Sequence, residues 1–332
     1  MRRFFPAVLV ALAITSGLRL LQAEQPFAPD NRPTNAALVY WTAFAMLPEL
    51  SDEESDLLPN WGTGEMRLKE LASLRSQSRT SLQLAGHAEP TMDCQWQLID
   101  SGPATLLPHI SKARLLGMLF LLQAEADVAA GKNKAAIEHL ASAWLLARNI
   151  DEGALIQLLV GHALEAQVLN IAEPLLPTLN AQERAQFKAA FEALPAPVEY
   201  ATAIGYEQRM FGEWLRPLLT GEPQEAVARF KEISGQVDPL MLLGIFAGSK
   251  EVRLQRFNDF IGEYDKVAKA SQLPPEEAKA EMKRLEEALP KSKNALARVM
   301  MPAFARSFTN HLELQARIAR FKKALQDAPA GK

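Results

Sequence analysis

Apolar residues recur three and four positions apart along almost the whole chain after residue 34, which is the spacing of one face of an α-helix. The only alternating stretch, a pattern typical of a β-strand, is Trp96-Gln97-Leu98. The pattern therefore predicts an all-α protein, an irregular helical bundle or an α-α superhelix. With 332 residues, 48% of them hydrophobic, the chain is long enough to bury a sizeable core.

Charge and cysteine content restrict the partners and the cross-links of this chain. The formal net charge of −3 gives no chain-wide attraction to nucleic acid, so no nucleic-acid partner is predicted. Cys94 is the only cysteine, which excludes an intrachain disulfide. We predict a buried, inert Cys94 thiol, with an intermolecular disulfide as the alternative.

The most apolar segment lies between residues 115 and 122, and it predicts a helix that is buried on nearly every side. Gly131 predicts a turn into a second helix, so the two helices form a hairpin. Small and large residues of this hairpin resemble one tetratricopeptide unit, and they are Ala124, Gly131, Ala136, Leu140 and Ala143. The pattern does not repeat at the usual period, which predicts one tetratricopeptide-like hairpin. We expect one core to contain Leu116, Leu119, Leu140, Trp144, Leu158 and Leu159.

Other helices follow from the same periodicity and from local start and stop signals. Capping boxes are predicted where Ser51 precedes Glu54 and where Asn180 precedes Glu183. The predicted helices cover residues 35–47, 66–84, 155–176, 180–194, 198–219, 223–233, 239–270, 275–289 and 302–325. The irregular passage 90–103 is predicted to form the rim of a functional surface.

The first residues of the chain predict where the protein is located rather than how it folds. Arg2 and Arg3 precede a short apolar run and then Ala23, which is the layout of a signal peptide cleaved after Ala23. The prediction is a periplasmic or secreted protein, with an uncleaved N-terminal anchor as the alternative. The predicted organisation is a signal peptide (1–23), a short linker (24–34), an all-helical domain (35–271) and a charged, docked helical extension with a flexible end (272–332).

Four passages resemble an uncharacterised exported all-helical family of Planctomycetes. They read NAALVYWTAFAMLPELSDEE, CQWQLIDSGPATLLPHISKAR, LIQLLVGHALEAQVL and AIGYEQRMFG. Gln95 stands where the family usually has an acid, which argues against a metal or an acid role there. The resemblance implies secretion and a helical fold, and it implies no catalytic residue.

His162 and Glu165 lie three residues apart on a predicted apolar helix, so their side chains share one face. The pair could bind a metal, but helix-bundle metal sites place Glu-x-x-His on two helices and add further carboxylates. The favoured interpretation is that the two residues satisfy each other or a neighbouring arginine. We predict no metal and no cofactor.

The candidate catalytic residues are three acids, Glu165, Glu199 and Glu207, and the candidate binding residues in the same part of the chain are Trp96 and Arg209. Motifs of common hydrolases, nucleotide-binding proteins and zinc proteins are missing from the sequence. The sequence therefore favours a non-enzyme, an envelope scaffold that binds another protein or a peptide. The alternative is a secreted glycan hydrolase that uses two carboxylates.

The last helix is predicted to be a basic docking element. Residues 291–332 contain nine basic and two acidic residues. An apolar stripe accompanies the charge and consists of Phe304, Phe308, Leu312, Ile318, Phe321 and Leu325. The favoured interpretation is docking on the acidic part of the same chain, and the alternative is contact with an anionic membrane or an acidic envelope polymer. The candidate binding residues here are Arg317, Arg320, Lys322 and Lys323.

Overall fold

The protein is all-α throughout the part of the chain that the structure describes. This computed structural model describes residues 34–59, 65–99, 101–103, 105–150, 153–234, 239–301 and 303–327. These ranges contain 16 α-helices and no β-strand, which confirms the predicted helical bundle. The predicted signal peptide, all but the last residue of the predicted linker and residues 328–332, the end of the predicted extension, lie outside the described residues.

The first nine helices are α1 (Ala36–Phe44), α2 (Asp52–Leu57), α3 (Glu65–Glu70), α4 (Ala72–Gln77), α5 (Arg79–Ala85), α6 (Pro108–Ala129), α7 (Asn133–Asn149), α8 (Leu155–Leu175) and α9 (Ala181–Glu192). The other seven are α10 (Tyr200–Thr220), α11 (Pro223–Ser234), α12 (Pro239–Phe246), α13 (Lys250–Ala270), α14 (Pro275–Ala288), α15 (Ala295–Met300) and α16 (Ala305–Gln326). Short 3₁₀ turns follow α8 and α14 at Leu176–Thr178 and Leu289–Lys291. The described residues from Asn35 onward form one compact unit.

Several helices begin where local capping residues predict. The side chain of Ser51 accepts a hydrogen bond from the backbone N–H of Glu54, and the Glu54 carboxylate accepts one from the N–H of Ser51. Asn180 and Glu183 exchange the same two bonds, each 2.9 Å long. Both predicted capping boxes are confirmed. These bonds satisfy backbone donors that have no partner within the first turn.

Two predicted helices are interrupted, so the prediction of continuous helices at 66–84 and 239–270 was wrong. The first is divided into α3, α4 and α5, and the Ser78 hydroxyl donates to the carbonyl of Arg75 at the second break. The second is divided into α12 and α13 by Gly248, whose φ of +92° is in the left-handed region. Ser249 then caps α13. A serine side chain can bond to the backbone in place of a helical hydrogen bond, and glycine readily adopts the left-handed conformation that ends a helix.

The buried apolar residues form two clusters rather than one core. Leu116, Leu119, Leu140 and Trp144 share the first cluster with residues of α1–α9 and the C-terminal half of α16, as predicted. Leu158 belongs to a second cluster, built mainly by α10–α15, and Leu159 packs against it. The prediction of one core was therefore wrong for this last pair. The reason is that α8 extends across both clusters and turns its first residues toward α10.

α16 also joins both clusters. Phe304, just before the helix, and Phe308 are buried in the second cluster, while Ile318 and Phe321 are buried in the first. The apolar stripe of this helix is therefore packed against the same chain. Its basic residues Arg320, Lys322 and Lys323 face solvent.

α8 is the central helix of the described fold, in contact with α6, α7, α10 and α16. By length and composition, the segment Leu155–Thr178 could cross a membrane, but half of its most apolar window is buried inside the protein. Burial between packed helices accounts for its apolar character.

Gly161 allows α7 and α8 to approach closely. A Cβ atom at Gly161 would lie 2.7 Å from the backbone oxygen of Ala147, a contact that no side-chain rotation can relieve. We expect Gly161→Ala to lower the free energy of unfolding by about 1–3 kcal/mol through overpacking, although alanine favours a helix by about 1 kcal/mol over glycine. Urea unfolding measures the change.

Gly262 in α13 provides a matched control, because a Cβ atom there would meet no heavy atom within 4 Å. Gly262→Ala is expected to raise the free energy of unfolding by about 0.5–1 kcal/mol. Equal effects of the two substitutions would show that α7 and α8 are not in close contact at Gly161.

Candidate functional site

A groove of about 820 Å³ lies on the first half of the fold and is bordered by α4, α5, α6, α7 and α9. Its accessible apolar surface includes Ala72, Ala141 and Ala190, and beneath it lie Leu82, Phe120 and Ile137, each no more than 6% exposed. Because these side chains are held in the first core cluster, the floor of the groove is pre-formed. The polar residues that line it include Arg75, Arg79, Gln83, Glu138 and Gln186.

The two arginines reach the same groove because they are four residues apart on the consecutive short helices α4 and α5. Arg75 is in the last turn of α4, and Arg79 begins α5 after the break at Ser78. The Nε atom of Arg75 is buried and has no hydrogen-bond acceptor among the described residues. Within the same ranges, neither arginine forms an ion pair. The groove therefore presents two guanidinium groups that have no carboxylate of their own in the described fold.

A histidine and an aspartate from the two helices of the hairpin meet beside the groove. His139 Nδ1 lies 3.0 Å from Asp127 Oδ2, and the Gln123 amide donates to the other carboxylate oxygen at 3.2 Å. Asp127 is buried, whereas His139 lines the groove and its side chain is 27% exposed. The carboxylate accepts a hydrogen bond from the Nδ1 atom of His139 and so fixes the orientation of the ring.

This histidine–aspartate pair is not accompanied by an activated nucleophile in the described groove. Ser142 also lines the groove, but its hydroxyl donates to the Glu138 carbonyl at 3.0 Å. A nucleophile in hydrogen-bond contact with its base is the geometric mark of covalent catalysis. The arrangement is suited to binding polar groups.

Glu165 is placed in a buried ionic cluster, away from this groove. Its carboxylate is paired with Arg148, and the Trp144 indole N–H donates to it at 2.9 Å. Burial raises the pKa of Glu165, while Arg148 and the Trp144 hydrogen bond oppose that rise. The predicted structural interpretation, a buried acid that pairs with a neighbouring arginine, is confirmed. A carboxylate held in this way is a structural group rather than an accessible acid.

His162 does not pair with Glu165 but with His311 of α16. His162 Nε2 lies 3.4 Å from His311 Nδ1, and the ring centres are 5.0 Å apart. Burial lowers the pKa of His162 to about 3, and His311 and Arg148 add to the effect. The described residues contain no group of three or more histidine, cysteine, aspartate or glutamate side chains that could hold a metal.

Glu199 and Glu207 have different environments near the start of α10. Glu199 is an exposed residue that precedes the helix, whereas Glu207 accepts a hydrogen bond from the backbone N–H of Leu155 at 3.1 Å. Burial raises the pKa of Glu207. Neither residue, nor Glu165, lines the groove. Arg209 is exposed and borders a different cavity of about 610 Å³ between α10 and α13.

Trp96 lies inside the fold rather than on a rim. Its side chain is 3% exposed and stacks on His109 with ring centres 4.5 Å apart. Its indole N–H donates to the carbonyl of Asn149 at 2.7 Å, and the Cys94 thiol approaches the same oxygen at 3.4 Å. Trp96 is therefore a core residue without an open face for a ligand. Cys94 is half-buried rather than fully buried as predicted.

The basic residues of α16 are divided between structure and surface. Arg317 forms two hydrogen bonds with Glu173 of α8, at 2.9 and 2.8 Å, and this pair attaches α16 to the central helix. Arg320, Lys322 and Lys323 are exposed. They lie outside the groove.

Sequence patterns did not single out the residues that line the groove. Arg75 and Arg79 are four residues apart in a predicted helix, so spacing placed them on one face, but it did not show that α6, α7 and α9 pack beside them to form a groove. The contact between Asp127 and His139 could have been predicted from the sequence. An acid on the most apolar helix and a histidine on its hairpin partner lie close to the same turn. Comparisons of the chain with protein-family models, with curated proteins and with solved structures found no match.

Proposed function

We propose that this protein is an exported helical scaffold that binds a segment of another envelope protein, or a peptide, in the groove between α4, α5, α6, α7 and α9. The observation that carries the proposal is the combination of a pre-formed apolar floor with arginines that have no ion-pair partner among the described residues. Grooves between helices are common sites for peptide segments. A continuous surface of this kind suits an extended ligand that has both polar and apolar side chains.

The hairpin of α6 and α7 supports the proposal. Its small residues Ala124, Ala136 and Ala143 are fully buried where the helices pack, and Gly131 turns the chain with a φ of +69°. These features agree with a tetratricopeptide-like unit, a hairpin whose partner-binding surface is built from helix faces. On this interpretation, α4, α5 and α9 complete a groove that one hairpin cannot form by itself.

Export belongs to the proposal and rests on the sequence of residues 1–23. A charged start, a short apolar run and Ala23 occur in the order that signal peptidase substrates show. The mature protein is expected to begin at Glu24, and N-terminal sequencing of the native protein checks this. Recovery of a cytoplasmic protein that begins at Met1 would contradict export. We also propose, from the sequence resemblance alone, that the protein belongs to the exported Planctomycete family.

The groove is tested by filling it. Ala72 lines the groove and is exposed, so Ala72→Trp adds bulk there without entering the core. Ala163 is exposed on α8 outside the groove, and Ala163→Trp is the matched control. We expect native envelope proteins captured by the wild-type chain to be captured by the control but not by Ala72→Trp. Equal capture by both variants would exclude the groove as the binding site.

A further inference from the structure

We infer that the groove binds an acidic peptide segment whose carboxylates pair with Arg75 and Arg79 while its apolar side chains rest on Ala72, Ala141 and Ala190. The inference deepens the proposed function and rests on it. It concerns the chemical class of the ligand, which the proposed scaffold role leaves open.

The first argument is the way in which this chain satisfies its other arginines. In the described fold, many guanidinium groups bind a carboxylate or a backbone carbonyl, and these belong to Arg67, Arg148, Arg184, Arg253, Arg256, Arg284, Arg298 and Arg317. Arg75 and Arg79 bind neither kind of group among the described residues. The Nε atom of Arg75 is buried, but its terminal nitrogens are not among the buried unpaired atoms, and Arg79 is exposed. These terminal nitrogens can therefore pair with a carboxylate of a ligand.

The second argument is the charge of the groove. Its charged lining consists of Arg75 and Arg79 against a single acid, Glu138, in a chain whose net charge is −3. Guanidinium groups bind carboxylates in a planar, bidentate geometry, which gives direction as well as energy. Two arginines four residues apart on adjoining short helices match two acids on one segment. They are too few to hold a nucleic-acid backbone.

The third argument is the size and the lining of the groove. A volume of about 820 Å³ far exceeds what one small anion fills, and much of the floor is apolar. The side chains of Gln83 and Gln186 also line it, and amide groups can bond the backbone of an extended segment. The lining thus offers separate contacts for carboxylates, backbone and apolar side chains. A peptide with acidic and apolar residues supplies all three.

The probe is a random 12-residue peptide library displayed on phage and selected against the full-length mature protein. We expect the selected peptides to be enriched in aspartate and glutamate together with leucine or aromatic residues. Individual selected peptides, made with a fluorescent label, are then titrated by anisotropy. The double variant Arg75→Gln/Arg79→Gln is expected to weaken their binding at least tenfold, the effect of losing charge-assisted hydrogen bonds. Arg320→Gln, an exposed arginine of α16, is expected to leave binding unchanged.

The outcomes separate this inference from the proposed function. Selected peptides that are neutral or basic, and whose binding is lost in Ala72→Trp, would overturn the acidic ligand and support the groove. Acidic peptides that bind the double arginine variant and Arg320→Gln equally would overturn the roles of Arg75 and Arg79. If no selected peptide is sensitive to Ala72→Trp, both the inference and the groove are overturned. Thermal unfolding of the double variant is the control for folding. No loss in Tm is expected, because Arg79 is exposed and the half-buried Arg75 side chain has no partner among the described residues.

Discussion

Arg148→Met is expected to lower the free energy of unfolding by about 3–5 kcal/mol, because it leaves the Glu165 carboxylate buried without its cation. The side chains of Arg148 and Glu165 are 7% and 3% exposed, so water cannot replace the lost partner. The indole N–H of Trp144 remains bonded to the carboxylate but carries no net charge. Urea unfolding at pH 7 measures the loss.

The double variant Arg148→Met/Glu165→Gln separates the lost charge pair from simple loss of packing. Glutamine keeps a side-chain oxygen that can accept the Trp144 hydrogen bond, and it removes the buried charge. We expect the double variant to regain at least half of the stability that the single variant loses. If the two variants are equally unstable, the cost arises from the cavity left by arginine and not from the carboxylate.

The loss of stability in Arg148→Met is also expected to depend on pH. Burial already raises the pKa of Glu165, and removal of Arg148 takes away a group that opposes the rise. A carboxyl group whose pKa is higher in the folded than in the unfolded chain destabilises the fold progressively as the pH rises between those two values. The deficit of Arg148→Met is therefore expected to shrink when the pH is lowered from 7 to 5. A deficit that stays constant over this interval would contradict a buried charge.

Two buried histidines that resist protonation are expected to contribute a loss of several kcal/mol of stability on acidification. Burial lowers the pKa of His109 from 6.5 to about 4 and that of His162 from 6.5 to about 3. Below pH 6.5 the unfolded chain binds protons that the folded chain does not, so stability falls as the pH falls toward the folded-state values. At about 1.4 kcal/mol per pH unit, His109 alone accounts for about 3 kcal/mol at pH 4.

Histidine variants isolate this effect from the buried acids. Glu165 and Glu207 have raised pKa values and change stability in the opposite direction on acidification. His109→Phe keeps an aromatic ring against Trp96, with which His109 stacks, and removes the titration. We expect its free energy of unfolding to fall less than that of the wild type between pH 6.5 and pH 4. If the free energies of unfolding of the wild type and of His109→Phe change equally with pH, His109 has the same pKa in the folded and the unfolded chain.

Local patterns in the sequence predicted the class of fold and many helix starts, because these depend on contacts three or four residues apart. The capping boxes at Ser51 and Asn180 and the turn at Gly131 lie at the predicted positions. The same local logic failed at Ser78 and Gly248, where a periodic apolar pattern continues through a break in the helix. Periodicity reports which side chains are buried, and buried side chains on consecutive short helices can have the same spacing as those on one long helix.

The candidate site depends on contacts far apart in the sequence. Glu165 was predicted to be a buried paired acid, since an ionised group on an apolar helix needs a partner. The sequence did not identify Arg148 as that partner or His311 as the neighbour of His162, which lies 149 residues away. Both pairs exist because α8 crosses α7 and α16.

The sequence by itself determined that this chain is helical, which helices are buried and where several of them begin, since each property follows from spacing, capping and composition within one or two turns. Only the tertiary structure decided that two apolar clusters share α8 and α16 and that Arg75, Arg79 and His139 line one groove. The physical reason is the distance along the sequence between the residues that make contact. A helix face is encoded by neighbours in sequence, whereas a groove is the space left between helices whose crossing is set by packing at residues such as Gly161.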